Sequence, residues 1–244
     1  MTKNIKKYSS PVISLKNITK KYVIHHQKPT FSGQLLHREK NESFLALNSI
    51  SIDIYKGERI GIIGKNGCGK TTLLKIITGI TKSSSGTIFT NGKIVSLINL
   101  SAGFHPDLTG EENVYLNAML LGNSKDQTRK KFEEIVHFAD VHQFIDAPFY
   151  TYSEGMKLRL GFAVAVHSDP DILILDESSI LAGDHFFQTK IIKKIHSFFR
   201  LGKTVIIVTH WLDFLRAHCN RIIWMEAGKI KEIDGVKLLA KYSS

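Results

Sequence analysis

The chain has 244 residues, of which 43% are hydrophobic, enough for a large α/β domain with a buried core. Its formal net charge of +11 suggests an anionic partner or substrate. No apolar run reaches the length of a membrane helix, and the first ten residues lack the apolar core of a signal peptide. Cys68 and Cys219 are far apart in the sequence, so we expect two reduced thiols in a cytosolic protein.

The first segments of the chain have a β pattern. Val12–Leu15, Ile18–Val23 and Leu45–Ile54 are predicted strands, because they are rich in β-branched and apolar residues. The polar, basic stretch Ile24–Ser43 interrupts this pattern. We expect it to be an inserted loop or a short helix.

A phosphate-binding loop follows. Residues 64–72 read Gly-Lys-Asn-Gly-Cys-Gly-Lys-Thr-Thr and match G-x-x-x-x-G-K-[ST], between an apolar run at Ile60–Ile63 and a helical pattern at Thr71–Thr78. A chance glycine-rich turn would lack this strand–loop–helix setting. Lys70 would reach the β- and γ-phosphates, and the Thr71 hydroxyl would bind Mg²⁺. The residues assigned to the nucleoside triphosphate are Gly64, Asn66, Gly67, Gly69, Lys70, Thr71 and Thr72.

Strands and helices then alternate. Short strands are predicted at Thr87–Thr90 and Ile94–Leu97, and helices at Glu111–Gly122 and Ser124–Ala139, the second capped by its first residue. From Tyr152 onward the alternation is that of a parallel sheet.

Two carboxylates follow the apolar run Ile172–Leu175. Ligands of open α/β sheets bind at the carboxyl ends of the strands, so Asp176 would face the Mg²⁺ site and Glu177 the attacking water. Hydrolysis of a γ-phosphate needs a base near a water placed in line. A strand ending in two solvated acids is the alternative, which the phosphate loop makes the weaker one.

A third motif carries the family resemblance. Tyr152-Ser153-Glu154-Gly155-Met156 precedes a helical run at Lys157–Val166. It resembles the signature of ATP-binding cassette (ABC) ATPases, with Tyr-Ser-x-Gly-Met in place of Leu-Ser-Gly-Gly-Gln. Ser153 and Gly155 match its Ser and its second Gly. A helix N-terminus suits a γ-phosphate, which in this family belongs to ATP held by a second copy. The alternative is an ordinary serine-capped helix.

The resemblance assigns further residues. His210, after the apolar run 205–208, looks like the switch histidine that contacts the γ-phosphate, and Asp184 matches the loop aspartate that crosses the dimer interface. Tyr22 resembles the aromatic residue that stacks on adenine, with Phe44 as the second choice, although either could be a core residue. His105 stands where the family has a glutamine, in the loop that links the nucleotide site to the transmembrane partner. Because Mg²⁺ prefers oxygen ligands, this change argues against a direct Mg²⁺ bond there.

The strings around His105 and Ser153 narrow the resemblance to ATPase subunits that export O-antigen, capsule or teichoic acid in bacteria. It implies ATP and Mg²⁺ as cofactors, and a second copy and an integral-membrane permease as partners. The transported substrate would be a lipid-linked polysaccharide, and the location the cytoplasmic face of the inner membrane. Some O-antigen exporters add a C-terminal sugar-binding domain. Because the sequence ends at Ser244, we expect the form without one.

The predicted fold class is α/β. It comprises a P-loop NTPase (RecA-like) core at about 12–100 and 168–244, an inserted helical signature subdomain at about 101–167 and an N-terminal antiparallel β portion. In the insert, the cations Lys28, Arg38 and Lys40 suggest an element at the membrane edge or one that docks a partner, and a solvated loop is the alternative.

Two other functions remain open on the sequence. The charge would suit a non-transport ABC ATPase that acts on nucleic acid or ribosomes. Such proteins usually fuse two cassettes or insert a long coiled coil, and neither pattern occurs here, so nucleic acid is not an expected partner. An ABC exporter subunit for a drug, peptide or lipid is the other alternative.

Overall fold

The computed structural model describes residues 10–24, 42–98 and 103–243. The strands within these residues are β1 Ile13–Ile24, β2 Glu42–Ile54, β3 Arg59–Ile63, β4 Ser85–Thr90, β5 Ile94–Ser96, β6 Ile172–Leu175, β7 Thr204–Val208, β8 Arg221–Glu226 and β9 Lys229–Asp234. The helices are α1 Lys70–Ile77, α2 Gly110–Leu120, α3 Lys125–Ala139, α4 Glu154–His167, α5 Glu177–Ile180, α6 His185–Arg200, α7 Leu212–His218 and α8 Leu238–Ser243. The cations predicted for the insert, Lys28, Arg38 and Lys40, lie outside the described residues.

Two sheets form the framework. The first is antiparallel, with the order β2-β1-β4, and the second has the order β5-β6-β7-β3-β8-β9. In the second sheet β3 pairs in parallel with both β7 and β8, so its carboxyl end lies in the middle of the sheet. The α/β class with an N-terminal antiparallel portion is therefore confirmed. In the described part of the chain, no helix combines the length and apolarity needed to cross a membrane.

The strands differ from the prediction at the insert, at β1 and at β9. Ile24, Glu42 and Ser43, predicted to lie in the inserted loop or short helix, are strand residues, because the antiparallel pairing of β1 with β2 continues to Ile24 and Glu42.

The two strands predicted at Val12–Leu15 and Ile18–Val23 are replaced by one strand that begins at Ile13, and its pairing with β2 shifts register around Asn17, a residue with φ of +52°. A bulge of this kind interrupts the alternating pattern without ending the strand. The predicted parallel alternation is wrong for β9, which pairs antiparallel with β8. The cause is a tight turn at Ala227 and Gly228, which both have positive φ, as a two-residue hairpin requires.

Helix α4 contributes to two hydrophobic cores. Phe162 and Val166 pack with α6 and the six-stranded sheet. Leu160 and Ala163, on another face of the same helix, pack with residues of α2 and α3. The first turn of α4 is therefore placed by packing along the whole helix. The division into a core and a helical subdomain stays a prediction.

Candidate functional site

The loop between β3 and α1 is shaped by glycines. Gly69 has φ of +105°, and a Cβ there would lie 2.6 Å from the carbonyl oxygen of Ala46. Gly64 has φ of +150°, and a Cβ there would overlap the Met225 carbonyl oxygen. Only residues without a side chain fit where this backbone turns under β2 and β8. The sequence motif thus has a steric basis at these two positions.

A cavity of about 380 Å³ lies on this loop. It is formed by the loop, the start of α1, and the residues that follow β6 and β7. Its lining residues are Phe44, Ala46, Asn66, Gly67, Gly69, Lys70, Thr71, Thr72, Asp176, Glu177, Ser178, Val208 and His210. The predicted site residues outside this lining are Tyr22, Gly64, His105, Ser153, Gly155 and Asp184.

The cation of the cavity is held by the loop itself. The Lys70 ammonium donates to the carbonyl oxygens of Gly64, at 2.6 Å, and of Lys65, at 3.1 Å. A lysine fixed in this way is a point charge at the glycine-rich loop. That arrangement suits a polyphosphate.

Oxygen-bearing side chains of the kind that bind Mg²⁺ line the same cavity. Asp176 caps α5, and its Oδ1 accepts from the backbone N–H of Ser179 at 3.0 Å and from the Ser178 hydroxyl at 2.8 Å. Thr71, which carries a hydroxyl, belongs to the same lining. Within residues 10–24, 42–98 and 103–243, no group of three or more His, Cys, Asp or Glu side chains could hold a metal ion. One carboxylate and one hydroxyl fit Mg²⁺, which protein sites commonly bind together with substrate phosphates.

Glu177 is oriented by the end of β7. Its Oε1 accepts from the His210 backbone N–H at 3.3 Å and from the Thr209 hydroxyl at 3.4 Å. The His210 ring reaches back to the phosphate loop, with Nε2 3.2 Å from Oδ1 of Asn66. A carboxylate, an imidazole and the loop are thus joined by polar contacts.

Two aromatic residues flank the cavity. Tyr22 of β1 is paired directly with Phe44 of β2, so their side chains lie on the same face of the antiparallel sheet. Phe44 lines the cavity, whereas Tyr22 lies beside it with the Lys20 ammonium 4.9 Å from its ring centroid. The choice of Tyr22 or Phe44 for adenine stays a prediction.

The signature and the loop aspartate are both helix caps. Ser153 begins α4, and its hydroxyl accepts from the Met156 N–H at 3.2 Å. A Cβ on Gly155 would meet only the Ser153 hydroxyl oxygen, at 3.9 Å, so the first turn of α4 is sterically open. Asp184 caps α6 by accepting from the Phe187 N–H at 2.8 Å.

His105 lies on an exposed loop before α2, and the residue that organises this loop is Asn113. The fully buried Asn113 accepts from the His105 N–H at 2.7 Å and donates to the carbonyls of His105, Leu108 and Thr109 at 2.9–3.1 Å. Sequence reasoning gave this asparagine no role. Its signal was weak: a polar residue four positions after the capping Thr109.

The chain is similar to a known protein family and to proteins of known export systems. The model of the ABC transporter family matches residues 47–179. The O-antigen export system ATP-binding protein RfbB of Klebsiella pneumoniae is 40% identical, over 93% of this chain and 95% of that protein. The teichoic acids export ATP-binding protein TagH of Listeria innocua is 39% identical, over 99% of this chain and 70% of that protein.

The fold agrees with this placement. A dimeric, post-hydrolysis structure of the ATP-binding cassette MJ0796, bound to ADP and Pi, has a TM-score of 0.72 and 26% identity. The match covers 92% of this chain and 98% of that one. The chain therefore belongs to the ABC transporter family, as one of its ATP-binding cassette ATPases.

Proposed function

We propose that the chain is the ATP-hydrolysing subunit of a bacterial exporter that moves a lipid-linked surface polysaccharide across the inner membrane. The observation that carries this proposal is its similarity, over nearly its whole length, to ATP-binding proteins of O-antigen and teichoic acid export. Exporters of drugs, peptides or lipids, and ATPases acting on nucleic acid, are the alternatives that the experiment below tests.

The cavity around Lys70 binds ATP. The Lys70 ammonium and the N–H groups of the glycine-rich loop hold the β- and γ-phosphates. Phe44 or its neighbour Tyr22 stacks on the adenine ring. Thr71 and Asp176 would hold Mg²⁺, which neutralises phosphate charge when bound. His105 is exposed and lies outside the cavity lining, so we assign it no bond to the metal.

Hydrolysis is carried by Glu177. One of its carboxylate oxygens is held by His210 and Thr209, and we assign the other to the attacking water. The carboxylate accepts a proton from this water as the water attacks the γ-phosphorus, and ADP leaves. The His210 imidazole contacts the γ-phosphate.

One chain does not complete this site. Ser153, Gly155 and Asp184 lie outside the cavity lining, yet the open first turn of α4 is suited to a phosphate. Two copies related by a two-fold axis would place the signature of each against the nucleotide of the other. The dimer would hold two ATP molecules and open again after hydrolysis.

The loop around His105 is the surface for the permease. Exposed apolar side chains occur on the same helical part of the chain, including Leu120, at 65%, and Tyr150, at 63% exposed. The Tyr150 N–H donates to the carbonyl of Pro106, so this exposed residue lies beside the loop, where we expect a partner to cover it. The chain would then sit at the cytoplasmic face of the inner membrane, held there by the permease.

Purification of the tagged chain from membranes tests the proposal. We expect an integral membrane protein to copurify, and we expect cells carrying Glu177→Gln to accumulate lipid-linked glycan on the inner side of the membrane. Glu133→Gln, an exposed substitution on α3, is the matched control and should leave export normal. Recovery of RNA or DNA in place of a membrane protein, or normal glycan export by Glu177→Gln cells, would overturn it.

A further inference from the structure

Two segments that are far apart in the sequence are joined along their backbones. We call residues 103–111, which carry His105, and 144–152, which end just before Ser153, the signature clasp. Thr109 and Pro148 form an antiparallel bridge, and the rings of Phe104 and Phe149 stack with centroids 4.6 Å apart. The backbone N–H donors and their carbonyl acceptors are Tyr150 to Pro106 at 2.9 Å, Phe149 to Leu108 at 2.8 Å, Gly110 to Ala147 at 3.2 Å and Glu111 to Ile145 at 2.9 Å.

Tyr152 is the last residue of the clasp and is held by contacts with other residues of the same segment. Its side chain is buried, and its hydroxyl donates to the carbonyl of Phe144 at 2.6 Å. Burial raises the pKa of Tyr152 to about 12, so the hydroxyl stays a donor at physiological pH. Its ring lies 5.3 Å from that of Phe149.

Gly110 makes the room for this tyrosine. A Cβ on Gly110 would overlap the Tyr152 hydroxyl oxygen and lie 3.0 Å from the ring carbon that bears it. The Ile145 carbonyl oxygen would be 2.9 Å away. Gly110 is the first residue of α2 and does not have a positive φ, so alanine there would meet a steric conflict without backbone strain. The tyrosine at 152 and the glycine at 110 therefore fit as a pair.

We propose that Tyr152, seated on Gly110, is a positioning residue that fixes the signature serine, Ser153, relative to the His105 loop. The inference rests on the proposed function, in which Ser153 approaches the nucleotide of a second copy. Asn113 and the clasp make the loop, the start of α2 and the start of α4 one connected unit. A displacement of the loop by a permease is then passed on to Ser153. The usual leucine of the signature cannot make this connection, because it has no phenol ring to lie against Gly110 and no hydroxyl to bond the Phe144 carbonyl.

A double-mutant cycle tests the pairing. Gly110→Ala, Tyr152→Leu and the double variant are made in a Glu177→Gln background, and ATP-dependent dimer formation is measured by mass in solution. We expect Gly110→Ala to weaken the dimer at least tenfold when Tyr152 is present, and less than threefold when Tyr152→Leu has removed the hydroxyl, with the Ile145 contact as the remainder. ATP affinity of the monomer should stay within twofold, because neither residue lines the cavity.

Control variants separate positioning from stability. Gly235→Ala has no atom within 4 Å of the added Cβ and should leave dimer formation unchanged. Tyr152→Phe removes only the hydroxyl and serves as a second variant if Gly110→Ala does not fold. We expect it to weaken the dimer several-fold with monomer ATP affinity unchanged.

The outcomes distinguish the two proposals. If the Glu177→Gln parent does not dimerise with ATP and Mg²⁺, the sandwich of two copies is wrong. If the parent dimerises but Gly110→Ala weakens it equally with and without the tyrosine, or not at all, Tyr152 is not a positioning residue. An unchanged dimer in Tyr152→Phe leads to the same conclusion.

Discussion

The cavity around Lys70 and the signature around Ser153 are held in place by different kinds of contact. The cavity takes its walls from β2, the phosphate loop and the ends of β6 and β7, which the sheets bring together. The signature is the end of one helix, and its position depends on how α4 packs against α2, α3 and α6. If the proposed dimer is right, substitutions should separate nucleotide binding, which one chain would support alone, from hydrolysis, which would need the signature of a second copy.

The strongest test on the cavity side is Lys70→Ala. We expect no detectable ATP binding, because the β- and γ-phosphates lose the one lysine that lines the described cavity. Isothermal titration calorimetry with ATP measures this directly. Lys75→Ala, on the same helix but outside the cavity lining, should bind ATP like the parent. ATP affinity that survives Lys70→Ala would remove the phosphate-loop assignment.

Glu177→Gln should keep binding and stop the reaction. The amide preserves the shape of the side chain but cannot accept the proton from water, so hydrolysis should fall by roughly 10²–10⁴-fold. ATP affinity should persist, and dimers should accumulate with ATP and Mg²⁺. Phosphate release and mass in solution measure the two effects, with Glu133→Gln as the control. Hydrolysis within a few-fold of the parent would make His210 the next residue to test.

Ser153→Arg tests the signature side. A long cation at the first turn of α4 should prevent approach to the nucleotide of the partner, and hydrolysis should fall at least tenfold while monomer ATP affinity is unchanged. Gly155→Asp should behave alike. Ser124→Arg is a matched control, because Ser124 caps α3 by the same hydrogen bond, as predicted from the sequence. If the two serine variants lose hydrolysis equally, the loss reflects helix capping and not the signature.

Asn113→Ala should reveal how the loop before α2 is maintained. Its buried amide bonds the backbone of His105, Leu108 and Thr109, and its removal leaves these groups without that partner. We expect a loss of about 3 kcal/mol in the free energy of unfolding, measured by urea denaturation. Monomer ATP affinity should not change. A lower ATP affinity of the folded Asn113→Ala monomer would show that the loop also supports the cavity.

The smallest effect concerns His167, near the end of α4. Burial, and next to it the ammonium of Lys194, lowers the pKa of His167 from 6.5 to about 4. Between these values the unfolded chain binds a proton that the folded chain does not. The free energy of unfolding should therefore fall as pH decreases through this window, by up to about 1.4 kcal/mol per pH unit. His167→Gln should show a shallower loss from pH 6.5 to 4.5, and parallel curves would assign the pH dependence to other groups.

The sequence predicted the features that depend on neighbouring residues. The phosphate loop, the strand before Asp176 and the serine cap of α4 are set by short-range geometry, and each was recognised from a local string. The hairpin at Ala227 and Gly228 is not predicted, because the two turn residues are its only indication in the sequence.

Features that depend on distant residues were not predictable in this way. Asn113 bonds the backbone of the loop before α2, and the sequence of that loop does not predict its conformation. The contact between Tyr152 and Gly110 joins positions 42 apart in the sequence, and no local pattern around either residue predicts it. Only the packing of α2 against the segment before α4 brings them together.

The hydrogen bonds of Asn113 have a consequence for how such a subunit can diversify. Every group that this amide holds in the loop is a backbone carbonyl or N–H, so these four hydrogen bonds do not depend on which side chains stand at positions 105–107. One buried residue thus holds the backbone of the loop by bonds that an exchange of these exposed side chains would leave in place. Under the proposed function, the surface that meets the permease can change by exchange of these side chains, with no change in the proposed chemistry at Lys70 and Glu177.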